Sequence, residues 1–159
     1  MVTEEEKVMG LQYGENAKEG KKETWKLQME LRRSNSVEEF MEENEDKLVT
    51  MSVAEYLNEM LTAYGLEKSD VAKRGGFAGN YPYQIFNGKK KASRDKLIQI
   101  AVGFPLTVEE TQQLLLLGNY RELYVKNKRD AYIMFALEKK YDIMQLNDLL
   151  FNNKEQILE

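Results

Sequence analysis

Thirteen residues leave this chain little conformational choice. Ser52-Val-Ala-Glu55 opens a stretch in which Val53, Tyr56, Leu57, Met60, Leu61 and Tyr64 recur at i, i+3, i+4, i+7, i+8 and i+11, and Gly65 follows at once. That spacing predicts one apolar stripe along an α-helix. The serine oxygen accepts the N–H three residues on while the glutamate returns the bond, which fixes the start. A glycine takes the left-handed conformation that ends a helix. The same punctuation recurs at Ser36-Val-Glu-Glu39 and Thr107-Val-Glu-Glu110, with stops at Gly75-Gly76, Gly88, Gly103 and Gly118. No segment sustains a period of two, and no repeat is visible. The chain therefore reads as all-α.

The order of segments predicts an organisation. Residues 1–22 carry Gly10, Gly14, Gly20 and charge without apolar periodicity, and read as a flexible tail. Residues 23–50 read as an N-terminal appendage of two short helices. Residues 51–118 hold the Ser52 helix, a short polar helix after Leu66, a two-turn helix over about Tyr81–Asn87, a helix capped by Ser93, and one opened by Thr107. Residues 119–159 add two more helices, near Lys128–Lys139 and Met144–Phe151, as an extension packed on that domain.

Composition narrows the chemistry. The 159 residues include no cysteine and no histidine. Disulfides, thiolate metal sites and cysteine nucleophiles are excluded, and the commonest general base is missing. No nucleophile, base and orienting group stand together, so the expectation is a binding protein without cofactor or metal, not an enzyme. No apolar run approaches the length that spans a bilayer. The acidic start "MVTEEEKVMG" is unlike a secretory signal, which places the protein in the cytoplasm by expectation.

Charge is uneven. Residues 1–50 hold 8 basic and 13 acidic side chains, a balance of −5, whereas residues 61–100 hold 8 basic and 3 acidic, a balance of +5. Screening at physiological salt limits a surface field to about 8–10 Å, so a local basic centre attracts a polyanion whatever the net charge of −4. Within that centre, "GNYPYQIFNGKKKASRDKLIQIA" (79–101) predicts a helix capped by Asn80, with Pro82 in its first turn and a stop at Gly88. Ile85 and Phe86 face inward; Tyr83, Gln84 and Asn87 face out.

Two short helices joined by a glycine turn, with a basic loop after the second, suit the major groove of B-DNA, which is about 12 Å wide and admits one helix. Gln84, then Asn80, can present an amide to an adenine edge. Tyr81 and Tyr83 offer rings to thymine methyls and hydroxyls to phosphates, beside Asn87. Lys68 and Ser69 start the first short helix, near a phosphate. Lys89, Lys90, Lys91 and Arg94 would neutralise phosphates, with Ser93 donating from its cap.

The segment "GLEKSDVAKRGGFAGNYPYQIFNGKKKASRDKLIQIA" resembles the phage-repressor-like (Xre-type) helix-turn-helix family. Gly65-Leu66, Val71-Ala72, Gly76, Ile85, Gly88-Lys89, Ser93, Leu97 and Ala101 carry the resemblance, which covers roughly 53–117. "LTVEETQQLLLLGNY", "LYVKNKRDAYIMFALEKK" and "LNDLLF" are similar to a subgroup of bacterial regulators with added helices at both ends. The resemblance implies a λ-repressor-like bundle that binds double-stranded operator DNA, usually as a homodimer. The chain departs from the family pattern at Pro82, Gly75 and Lys68.

Duller readings stand beside these. The lysine run also suits a solvated loop, Tyr81 and Tyr83 can bury their rings, Gln84 also suits a plain exposed helix position, and Lys128-Arg129-Asp130 reads as a solvated helix start. A rival function is a helix-turn-helix scaffold used to bind protein, through its terminal helices or as an antitoxin-like partner.

Overall fold

Helix follows helix wherever the computed structural model describes the chain, residues 19–47 and 51–159. Among those residues there are nine α-helices: α1 (Glu19–Arg33), α2 (Val37–Glu43), α3 (Val53–Tyr64), α4 (Lys68–Arg74), α5 (Tyr81–Phe86), α6 (Arg94–Gly103), α7 (Val108–Leu117), α8 (Lys128–Glu138) and α9 (Ile143–Asn152), with one 3-10 turn at Glu45–Lys47. None is long and apolar enough to cross a membrane. Most of the tail expected over 1–22 lies outside the described residues; α1 begins at Glu19, four residues earlier than the expected 23.

The chain divides into two compact units, Met1–Val49 and Thr50–Glu159. In the first, α1 and α2 pack together, Met29 and Phe40 are buried, and Ser36 caps α2 by accepting the Glu39 N–H. Asn44 donates from its amide to the Phe40 carbonyl at 3.0 Å and to the Glu30 carboxylate at 3.3 Å.

The second unit holds α3 to α9, so residues 119–159 share it with the segment before them. Its hub is α6, which packs on α4, α7 and α9, and whose residues Leu97 to Gly103 are all buried. Leu57, Phe86, Phe104, Leu114, Ile133 and Leu146 surround it, none more than 1% exposed. Each such side chain contributes roughly 1.5–3 kcal/mol on burial. Gly103 permits the α4–α6 crossing: a Cβ there would lie 2.6 Å from the Val71 carbonyl oxygen.

Local signals place the helix starts. Both bonds of the capping box form at Ser52–Glu55 and at Thr107–Glu110. A third box, Asp142–Gln145, starts α9 at Ile143. Glu110 also joins α7 to α3: its carbonyl accepts the Tyr56 hydroxyl at 3.0 Å, and its carboxylate accepts the Tyr64 hydroxyl. Burial, followed by the negative charge of Glu110, pushes the Tyr56 hydroxyl up to about 12. Tyr64 is also raised, by burial and then by its bond to Glu110.

Candidate nucleic-acid interface

A short helix holds a fixed pose only if its ends are tied, because seven or fewer residues are too few to be stable alone. Both α4 and α5 are that short, and both are tied. The buried Gln99 of α6 donates from Nε2 to the Gly75 carbonyl at 2.7 Å, fixing the turn between them. At the far end, Asn58 of α3 donates from Nδ2 to the Phe86 carbonyl at 2.8 Å and to the Ala54 carbonyl at 2.7 Å. Gly75 leaves no space for a larger side chain, since a Cβ there would meet the Phe77 ring at 2.9 Å.

Pro82, Ile85 and Phe86 anchor α5 inward. Asn80, Tyr83, Gln84 and Asn87 are exposed. Asn80 holds the N-cap position, but its side chain makes no capping bond, contrary to the sequence expectation. Its backbone, at φ −94° and ψ 4°, is not the extended conformation that aims a cap oxygen at the helix.

Tyr81 is half-buried at the centre of a stack. Its ring lies 6.2 Å from that of Phe77 at 20°, the Lys90 ammonium is 4.7 Å from its centroid, and the Lys96 ammonium is 5.6 Å from it. The sequence expectation offered that ring to thymine; here neighbouring cations occupy it. Lys96 and Phe77, neither singled out from sequence, complete the group. Lys96 is also 5.5 Å from the Phe77 centroid.

The loop after α5 turns at Gly88, whose φ of +77° favours glycine. The Gln84 carbonyl accepts the Lys89 and Lys90 N–H groups at 2.9 and 3.1 Å, and the Asn87 side-chain oxygen accepts that of Lys89 at 3.1 Å. Lys89, Lys90 and Lys91 stand exposed on this frame. Lys91 lies 5.6 Å from the centroid of Tyr120, whose hydroxyl donates to the Ala92 carbonyl at 2.7 Å. Ser93 is exposed and its oxygen accepts the Lys96 N–H at 3.2 Å. At the start of α4, Lys68 is half-buried and Ser69 exposed; the Asp70 carboxylate accepts the Glu67 N–H beside them, a negative charge next to the expected phosphate contact.

Arg94 points elsewhere. Its guanidinium bonds both carboxylate oxygens of Asp130, at 3.2 and 3.0 Å, and the carbonyls of Arg121 and Glu122, at 3.0 and 3.1 Å. The phosphate contact expected of it is replaced by an internal ion pair. One residue on, Asp95 receives both ends of the Arg129 fork at 2.9 and 3.1 Å. The start of α8 is therefore not the solvated one expected: Asp130 is 1% exposed and also accepts the Tyr124 N–H. The available signals were the Arg-Asp dipeptide at the start of both α6 and α8, and the capping spacing Asn127-x-x-Asp130.

The basic centre thus separates into two parts. Lys89, Lys90 and Lys91 border the exposed amide and phenol groups of α5, while Arg94 and Arg129 lock α6 to α8. No family model, no curated protein and no solved structure matches this chain.

Proposed function

We propose that this chain is a helix-turn-helix protein of the phage-repressor-like type, which reads double-stranded DNA with α5 and regulates transcription. One observation carries the reading: α5 presents Asn80, Tyr83, Gln84 and Asn87 to solvent directly beside the Lys89–Lys91 loop. A six-residue helix is about 9 Å long, short enough to enter a groove about 12 Å wide end-on. Gln84 then pairs with an adenine edge, Asn80 is free of cap duty to do the same, and Tyr83 brings a phenol to the phosphate or methyl beside it. The three lysines neutralise flanking phosphates, each contributing about 0.9 to the salt slope of the binding constant.

The experiment is selection of bound duplexes from genomic fragments, repeated with Gln84→Ala and Lys90→Ala. Gln84→Ala relaxes the preference at one base position, while Lys90→Ala weakens all duplexes alike and lowers the salt slope by about one. Binding that stays flat across a salt titration overturns the reading.

The same scaffold used to bind protein is the second reading. Met144 and Phe151, each 74% exposed, stand on one side of α9, seven residues apart. Loss of partner binding in Phe151→Ser, with no duplex retained by the parent protein, favours it.

A further inference from the structure

Under the lysine loop lies a cavity of about 300 Å³. It is bounded by the start of α3, the end of α5, the loop itself and α6. Val53, Ile85, Ala92 and Leu97 provide apolar wall, Lys90 and Lys91 contribute from the loop, and no aspartate or glutamate lines it. On α3, the Glu55 carboxylate accepts the Ser52 N–H at 3.1 Å and lines an adjoining groove that shares Ser52, Ala54 and Gly88 with the cavity. Among the described residues, neither lysine is paired with a carboxylate; each ammonium rests near an aromatic ring instead.

An apolar chamber with two cations beside it and no anion in its lining matches one ligand class. The volume is at the small end of ligand sites, which suits a body of about ten heavy atoms. A neutral hydrocarbon would leave the two ammoniums unused. A fully polar anion would gain nothing from Val53, Ile85, Ala92 and Leu97. We propose that this cavity binds a small amphipathic monocarboxylate, with its tail against those four side chains and its carboxylate between Lys90 and Lys91. Because the same ammoniums serve the phosphate backbone under the function proposed above, on which this second half rests, occupation of the cavity weakens duplex binding.

The site is tested on the full chain without DNA, with octanoate as the probe and octanol and acetate as controls. Backbone amide NMR shifts should appear at Val53, Ala54 and Ala92 with octanoate, with a Kd on the order of 1 mM or tighter. Lys91→Gln should weaken octanoate several-fold and leave octanol unchanged. Ala54→Leu, which fills the chamber from the α3 side, should abolish binding while thermal unfolding confirms that the variant is folded. No shift at 5 mM octanoate, against the ~1 mM expected, or equal binding of octanol, overturns the site. A matched titration with a selected duplex reads the second half. Falling duplex affinity with octanoate, absent in Ala54→Leu, supports competition. Octanoate binding that leaves duplex affinity unchanged overturns the competition but keeps the site. Failure to bind any duplex sinks the function proposed above and leaves the octanoate result standing.

Discussion

Two groups of cations sit within six residues of each other and do opposite things. Lys89, Lys90 and Lys91 are exposed, on a loop framed by backbone bonds to Gln84. Arg94 begins the next helix and is 15% exposed, tied by four bonds to Asp130 and two carbonyls. Sequence treats all four as one basic run. The difference is what faces them. A planar fork finds a buried carboxylate in the geometry it matches best, while flexible ammoniums keep their solvation near aromatic rings. Local charge therefore overstates the surface available to a polyanion: Arg94 adds to the count and, with Asp130 against it, little to the field.

Substitutions that remove one side of each arrangement sharpen the contrast. Asp130→Ala has the largest expected effect, because it leaves the Arg94 guanidinium partly buried without its anion. The loss is about 3 kcal/mol in urea denaturation. A loss under about 1 kcal/mol would mean that the Arg94 fork re-solvates freely, and the contrast would collapse. Arg129→Ala should cost less, about 1 kcal/mol, since the Asp95 side chain it releases is 37% exposed and recovers water. Replacing Lys89, Lys90 and Lys91 together by glutamine should change stability by less than about 1 kcal/mol, from cation–π contacts alone. In the same triple variant, the salt slope of duplex binding should fall by about three. A triple variant that unfolds more readily than Arg129→Ala would assign the loop a structural role.

The Tyr64–Glu110 bond supplies a third case, a carboxylate that accepts from a neutral hydroxyl. Here pH is the probe. The Tyr56 hydroxyl, which donates to the Glu110 carbonyl, has a folded value near 12 against an ordinary 10. Its contribution is thus complete below pH 10 and lost as pH climbs through 12. Stability followed over pH 9–12 should decline less in Tyr56→Phe than in the parent protein. Equal declines would show that lysine and other tyrosine titrations dominate, making this the smallest of the effects.

Much of the helix pattern was legible because its causes are local. Ser52, Ser93 and Thr107 cap the helices their spacing announced, and Ile85 and Phe86 face inward as a short helix beginning near Asn80 requires. Asp142–Gln145 is as local a signal as those. The last helix, expected from Met144, starts one residue earlier, at Ile143. The side chains around α5 were less legible. Nothing near Tyr81 announces that Lys96, fifteen positions away, lies within 5.6 Å of its ring. Nor does anything near Arg94 announce that its partner is thirty-six residues on, at the start of α8.

Helix starts, stops and inward faces were written into the sequence itself, because backbone hydrogen bonds and apolar periodicity act over three or four residues. Which cations are free and which are bound, and where the cavity under the loop lies, were decided only in three dimensions. A charged group's fate depends on the dielectric and the counter-charge around it, and both arrive from segments distant in the chain.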